Sequence, residues 1–166
     1  GTIIGGWALA AQGQREKGIA QIRQGLAAWQ ATGQELGRVF LLALLAETYG
    51  KAGQAEAGLM VIAEALALID KIGERLQEAE LYRLQGELLL AQEGTRRKAQ
   101  GTGQKLQEIE ECLRQALDTA RRQQAKSLEL RAAVSLARLW QRQGKRTEGY
   151  ELLAPVYGWF TEGFDT

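Results

Sequence analysis

The stretch Gly6-Trp7-Ala8-Leu9-Ala10-Ala11-Gln12-Gly13 recurs in character as Ala46-Glu47-Thr48-Tyr49-Gly50-Lys51-Ala52-Gly53, 40 residues later. The same offset relates Gly18 to Gly58, Ile22 to Ile62, Gly25 to Ala65 and Leu26 to Leu66, small on small and apolar on apolar. A period of this length marks a chain built from stacked supersecondary units, none of which can bury its apolar face alone. A third unit opens with Leu84-Gln85-Gly86-Glu87-Leu88-Leu89, and a fourth contains Ala137-Arg138-Leu139-Trp140 and the turn residue Gly144. From Gly86 to Ala137 the step is 51 instead of 40. The surplus falls in residues 93–104, rich in glycine and charge with no apolar period, as a surface loop requires. Beyond it the register returns, with Ile62, Leu113 and Leu153 separated by 51 and 40. The reading is one domain, 1–166, in four units: 1–33, 34–73, 74–125 with the insertion 93–104, and 126–166.

Each unit accommodates two helices. Val39, Leu42, Leu45, Ala46 and Tyr49 fall at three- and four-residue steps, and so do Leu59, Ile62, Ala63, Leu66 and Ile69 beyond Gly53. No segment alternates apolar and polar residues with β-branched enrichment, so strands are not expected. The spacing predicts helices over 3–12, 15–32, 35–51, 54–72, 74–92, 105–124, 126–143 and 146–161. The small residues Gly6, Ala46, Gly86 and Ala137 on the first helix of each pair, and Gly25, Ala65 and Ala116 on the second, are where helices can cross closely. A helical glycine costs about 1 kcal/mol relative to alanine, which the close approach must offset. Trp7, Tyr49 and Trp140 are read as equivalent aromatics near the turns, packed between helices.

Composition narrows the function. The chain carries 21 Lys and Arg against 20 Asp and Glu, a formal charge of +1, and lacks the basic surplus with which a general nucleic-acid binder neutralises phosphates. Direct nucleic-acid binding is not expected. The apolar run Val39 to Ala46 is far too short to cross a membrane. One cysteine, Cys112, allows no internal disulfide and fits a cytoplasmic setting. The opening residues lack an initiating methionine and already read as helix, so the chain is expected to be a fragment of something longer.

The residues that carry most enzymology are missing. With no histidine, the commonest general base, the Ser-His and Cys-His pairings and every His-containing zinc site are unavailable. Cys112 lies among Ile109, Leu113 and Ala116 on an apolar stripe and reads as a packing thiol. Glu108, Glu110 and Glu111 point in different directions on a helix, and Arg114 can pair with Glu110 or Glu111. Gly50-Lys51 and Gly144-Lys145 lack the remainder of a phosphate loop, and Gly101-Thr102-Gly103 has no strand before it. Arg96-Arg97-Lys98 is a solvated run too short to claim RNA or DNA. No catalytic, metal or cofactor-binding residue is assigned, and the expectation is a non-enzyme.

Leu42, Leu45-Ala46, Tyr49, Gly58 and Ala65-Leu66 of the second unit, with Leu136-Ala137, Trp140 and Gly149 of the fourth, resemble the tetratricopeptide (TPR) repeat. Two features depart from that family: the period is near 40, and the only proline, Pro155, lies inside the last predicted helix. The longer period and the ending Leu152-Leu153-Ala154-Pro155-Val156-Tyr157-Gly158-Trp159 are similar to the C-terminal arm of large bacterial signalling ATPases, some of them bearing a nucleotide cyclase or DNA-binding domain. The resemblance implies an all-α, right-handed superhelical solenoid of four helix-turn-helix repeats. It also implies a non-catalytic scaffold that binds a protein or peptide on its concave face, or an arm that senses a small effector and modulates its parent. The family's groove positions fall here on Glu47, Lys51, Arg83, Glu87, Arg131, Arg138 and Arg142. Such a wall is mixed at one end and basic at the other, suited to an acidic peptide. Trp159, Phe160 and Phe164 at the last unit's end are expected to cap the core or dock on a neighbour, and self-association is also expected, through Ile3, Ile4 and Trp7 at one end and Trp159 and Phe160 at the other.

Overall fold

The turn inside each helix pair follows from a single backbone requirement. Gly13, Gly53 and Gly144 adopt φ of 91°, 76° and 81°, a region that glycine enters without steric cost. The residue after each glycine then donates its N–H back to a helical carbonyl: Gln14 to Leu9 at 3.0 Å, Gln54 to Tyr49 at 2.9 Å and Lys145 to Trp140 at 2.9 Å. This closure satisfies carbonyls that a helix end leaves open and reverses the chain. The turn between pairs has its own register site, Gly33 and Gly73 at φ 71° and 74°. Gln124 occupies the same site before the fourth pair, with φ 54°, the only non-glycine residue at positive φ among those described.

In the computed structural model, which describes residues 1–95 and 103–161, these turns separate eight helices with no strand among the described residues. They are α1 (Thr2–Ala11), α2 (Arg15–Ala31), α3 (Arg38–Lys51), α4 (Ala55–Ile72), α5 (Glu78–Thr95), α6 (Gly103–Arg122), α7 (Lys126–Arg142) and α8 (Arg146–Thr161). The class is all-α, in four consecutive pairs, as the periodicity requires. The chain divides into two compact units. The first holds α1 to α4 with the C-terminal part of α5 from Glu87, and the second holds Glu78–Gly86 of α5 with α6, α7 and α8.

Several helix ends differ from the periodicity. Helices α3 and α5 start at Arg38 and Glu78, later than expected, because the turns after Gly33 and Gly73 run on through residues 34–37 and 74–77. Gly37, at φ 79°, delays α3 further. Helix α5 continues to Thr95 and α6 begins at Gly103, so both reach into the segment read as a loop insertion. Arg96-Arg97-Lys98, the start of Gly101-Thr102-Gly103, and Phe164 lie outside the described residues. Pro155 is tolerated inside α8 on an exposed position.

Within each pair the helices cross at a fixed place. A methyl group on Gly18 would sit 2.5 Å from the Gly6 carbonyl oxygen, and one on Gly58 would sit 3.3 Å from that of Ala46. One on Gly149 would sit 3.5 Å from Ala137. These three pairs, 6/18, 46/58 and 137/149, each span 12 residues. The third unit departs: a methyl group on Gly86 would meet the Leu113 side chain at 2.7 Å instead of a small partner. The second small series also packs, with Gly25 lying directly against the Ile3 side chain. Around these crossings Ile22, Ile62, Ala65, Leu113 and Ala116 are buried to within 1% exposure, and this burial is where the apolar stabilisation resides.

Candidate functional site

The crossing pairs set the register of the first helices. With Gly6, Ala46, Gly86 and Ala137 aligned, Trp7 stands with Glu47, Glu87 and Arg138, and Leu9 stands with Tyr49, Leu89 and Trp140. The equivalence read between Trp7 and the pair Tyr49 and Trp140 is therefore corrected by two positions. Burial agrees: Tyr49 and Trp140 are core residues at 8% exposure, whereas Trp7 is half-buried on the same row as the charged positions.

Three of the expected groove residues lie in the first unit. Lys51 Nζ sits 3.0 Å from Glu47 Oε1, one helical turn away on α3. The same ammonium lies 5.5 Å from the centre of the Trp7 ring on α1, a cation–π distance that links the two first helices. Glu87 is half-buried on α5.

The other four lie in the second unit, where they divide by role. Arg83 is 6% exposed, and its guanidinium grips Glu80 with both arms, Nε to Oε2 at 2.9 Å and Nη2 to Oε1 at 2.7 Å. Arg131 of α7 reaches the same carboxylate, Nη2 to Oε1 at 2.9 Å. Burial makes Arg83 a support for Glu80 instead of an open contact surface. Arg138 and Arg142 are exposed and form no ion pair among the described residues. Steps of seven and four residues place Arg131, Arg138 and Arg142 on one face of α7, over roughly 16 Å of helix. The sequence reading missed Glu80. Its signal was the three-residue step to Arg83, but a charged pair at that spacing ordinarily reads as surface.

Behind this face two carboxylates are tuned by their neighbours. Burial alone would raise the Glu129 carboxyl, but hydrogen bonds from Lys126 at 2.7 Å and Arg121 at 3.1 Å outweigh it and hold its pKa below the usual carboxylate value. Glu110 is likewise lowered: burial is outweighed by Arg114, bonded at 2.8 Å, and by the nearby charge of Lys145. Arg114 also lies 5.1 Å from the Trp140 ring. Cys112 is half-buried, and burial together with Glu108 and Glu111 pushes its thiol up, away from the reactive thiolate. Among the described residues, no three His, Cys, Asp or Glu side chains group as a metal site, and no helix is long and apolar enough to cross a membrane.

No protein-family model matches the chain, and no curated protein matches it. Solved structures are similar to the chain, among them two described as a putative kinesin light chain with nearly identical TPR-like repeats from Podosopora anserina. The first has 19% identity and a TM-score of 0.45, with 99% of this chain and 96% of that chain covered. The second, a variant of the same protein, has 20% identity and a TM-score of 0.46, with 95% and 92% covered.

Proposed function

We propose that the chain is a non-catalytic interaction module that binds an acidic peptide or chain terminus along α7. The observation that carries this reading is the pair Arg138 and Arg142, exposed and unengaged by any ion pair among the described residues, on the face where Arg131 is already fixed by Glu80. An exposed guanidinium presents a planar fork of donors that a carboxylate can accept two at a time. In this reading the module is an arm of a larger cytoplasmic signalling ATPase and contacts no nucleic acid or membrane itself, and its end faces serve self-association. The test uses a synthetic peptide of alternating Glu and Asp with a free carboxylate, titrated by fluorescence anisotropy. Replacing Arg138→Glu and Arg142→Glu should abolish binding without lowering the melting temperature, and unchanged binding discards the site.

A second reading, a small-effector sensor, is favoured by an open groove of about 550 Å³ in the first unit, lined by Trp29, Gln34, Glu35, Leu36, Phe40 and Leu41. A groove of that size with a mainly apolar lining suits a compact, largely apolar molecule. Thermal-shift screening with such compounds should raise the melting temperature for at least one, and silence across a broad panel rejects it.

A further inference from the structure

The turn between α2 and α3 holds two large apolar side chains in the open. Leu36 is 77% exposed and Phe40 42%, although Val39 between them in sequence is fully buried. With Trp29 and Leu41 they line the open groove of about 550 Å³, whose residues all come from α2, the turn and α3. Gly37, at φ 79°, leaves the groove wide, since a methyl group there would stand 4.0 Å from Cζ2 of the Trp29 ring. One repeat later Trp29, Glu35 and Phe40 become Ile69, Arg75 and Glu80. The turns themselves form alike, with Gly33 and Gly73 at φ 71° and 74°, so the backbone does not require the aromatic pair or the acid that accompanies it.

Among the described residues, the one charged side chain in the lining is Glu35, and its sign selects among ligands. Its carboxylate is loosely held. Arg38 Nη1 stands 3.3 Å from Oε2 and Lys71 Nζ 3.6 Å from Oε1. Both distances exceed the roughly 2.7–2.9 Å of a charge-assisted hydrogen bond. Arg38 makes its shorter contact elsewhere, Nη2 to Glu64 Oε1 at 2.7 Å, and Lys71 is exposed on a flexible stem. A cation entering the groove can therefore bond Glu35 without stripping a buried partner. Glu74, whose Oε2 accepts the Gly37 N–H at 3.4 Å, adds a second carboxylate beside the turn. Aromatic faces such as those of Trp29 and Phe40 attract a cation in the same direction.

We infer that this groove binds an organic ammonium, its compact apolar body seated against Trp29, Leu36 and Phe40 and its cationic amine on Glu35. This rests on the small-effector reading and names the chemical class of the effector. A carboxylate of the same shape is repelled by Glu35, and a neutral analogue forgoes the ion pair.

The test titrates the 166-residue chain, by calorimetry at neutral pH, with three probes that share one ring: naphthylethylamine, naphthylethanol and naphthylacetate. The amine should bind tightest, the alcohol about fivefold more weakly, the scale of one exposed ion pair, and the acetate more weakly still. Amide resonances of residues 34–41 should shift when the amine is added. Glu35→Gln should bring the amine down to the affinity of the alcohol. Leu36→Ser with Phe40→Ser should weaken all three probes while leaving the circular dichroism unchanged. Equal affinity for the three probes, with shifts at residues 34–41, overturns the ammonium preference and leaves the effector reading standing. An amine preference that survives Glu35→Gln does the same. Binding by none of the probes, binding that leaves residues 34–41 unmoved, or binding undiminished in the double serine form overturns both.

Discussion

Gly18 packs on the backbone of Gly6 so closely that a methyl group on it would lie 2.5 Å from the Gly6 carbonyl oxygen and 2.8 Å from the Ala10 side chain. A main-chain oxygen inside a helix has nowhere to retreat. Gly18→Ala should therefore cost about 2–3 kcal/mol by overpacking. At Gly58 the nearest obstacle is the flexible Leu88 side chain at 2.9 Å, and the cost should be smaller. At Gly149 the neighbours stand at 3.5 Å, ordinary contact, so alanine should gain up to about 1 kcal/mol of helix propensity. Urea denaturation of the three variants should return that order, and a flat series would remove the crossing as its cause.

Gln124 adopts a left-handed conformation where Gly33 and Gly73 stand in the earlier units. A side chain there costs roughly 1–2 kcal/mol, part of which glycine gives back through its freer unfolded chain. Gln124→Gly should stabilise the fold by about 0.5–1 kcal/mol, read as a higher denaturation midpoint at unchanged slope.

Glu129 supplies a pH dependence whose sign is fixed. Its folded pKa lies below the ordinary carboxylate value, so the ionised carboxylate stabilises the fold. That contribution is complete above the unfolded pKa and is lost as pH falls through the folded one. Glu129→Gln should destabilise at neutral pH by about 2 kcal/mol, the scale of a hydrogen bond to a charge. It should also flatten the decline in stability below pH about 4.3, and an acid limb unchanged by the substitution would contradict the assignment.

Glu80 holds two guanidinium groups, one of them buried. Glu80→Ala should cost about 1.5–3 kcal/mol because it removes the carboxylate that buried Arg83 and Arg131 both bond. Adding Arg83→Met should recover much of that, since an apolar chain of similar length tolerates the site. Equal stability of the single and double variants would show that burial of Arg83 is not the cause.

The periodicity carried the eight helices and the turns at Gly13, Gly53 and Gly144 because both depend on local residue type. What it could not carry depends on distant partners. Residues 35–37 and 74–77 continue an apolar pattern with Leu36 and Leu76, yet both leucines are exposed in the turns. Arg83 reads as a groove residue because nothing local announces that it is buried on Glu80, which Arg131 also bonds. Trp7 was misregistered by its aromatic character, and the Gly6 and Gly18 crossing restores its place beside Glu47. Of the seven groove positions, the structure leaves Arg138 and Arg142 without an ion pair among the described residues and turns Arg83 inward.

The 12-residue span between crossing residues makes three of the hairpins clasps of fixed length. Adding or removing a residue between Gly6 and Gly18 would rotate one helix by about 100° and swing a side chain into the seam. The third hairpin closes on Gly86 and Leu113 instead, and it is the one that carries the extra sequence. For an engineer grafting an epitope, a tag or a second domain, the stretch between the end of α5 at Thr95 and the start of α6 at Gly103 is the natural splice point, and the other three hairpins should be left at their native length.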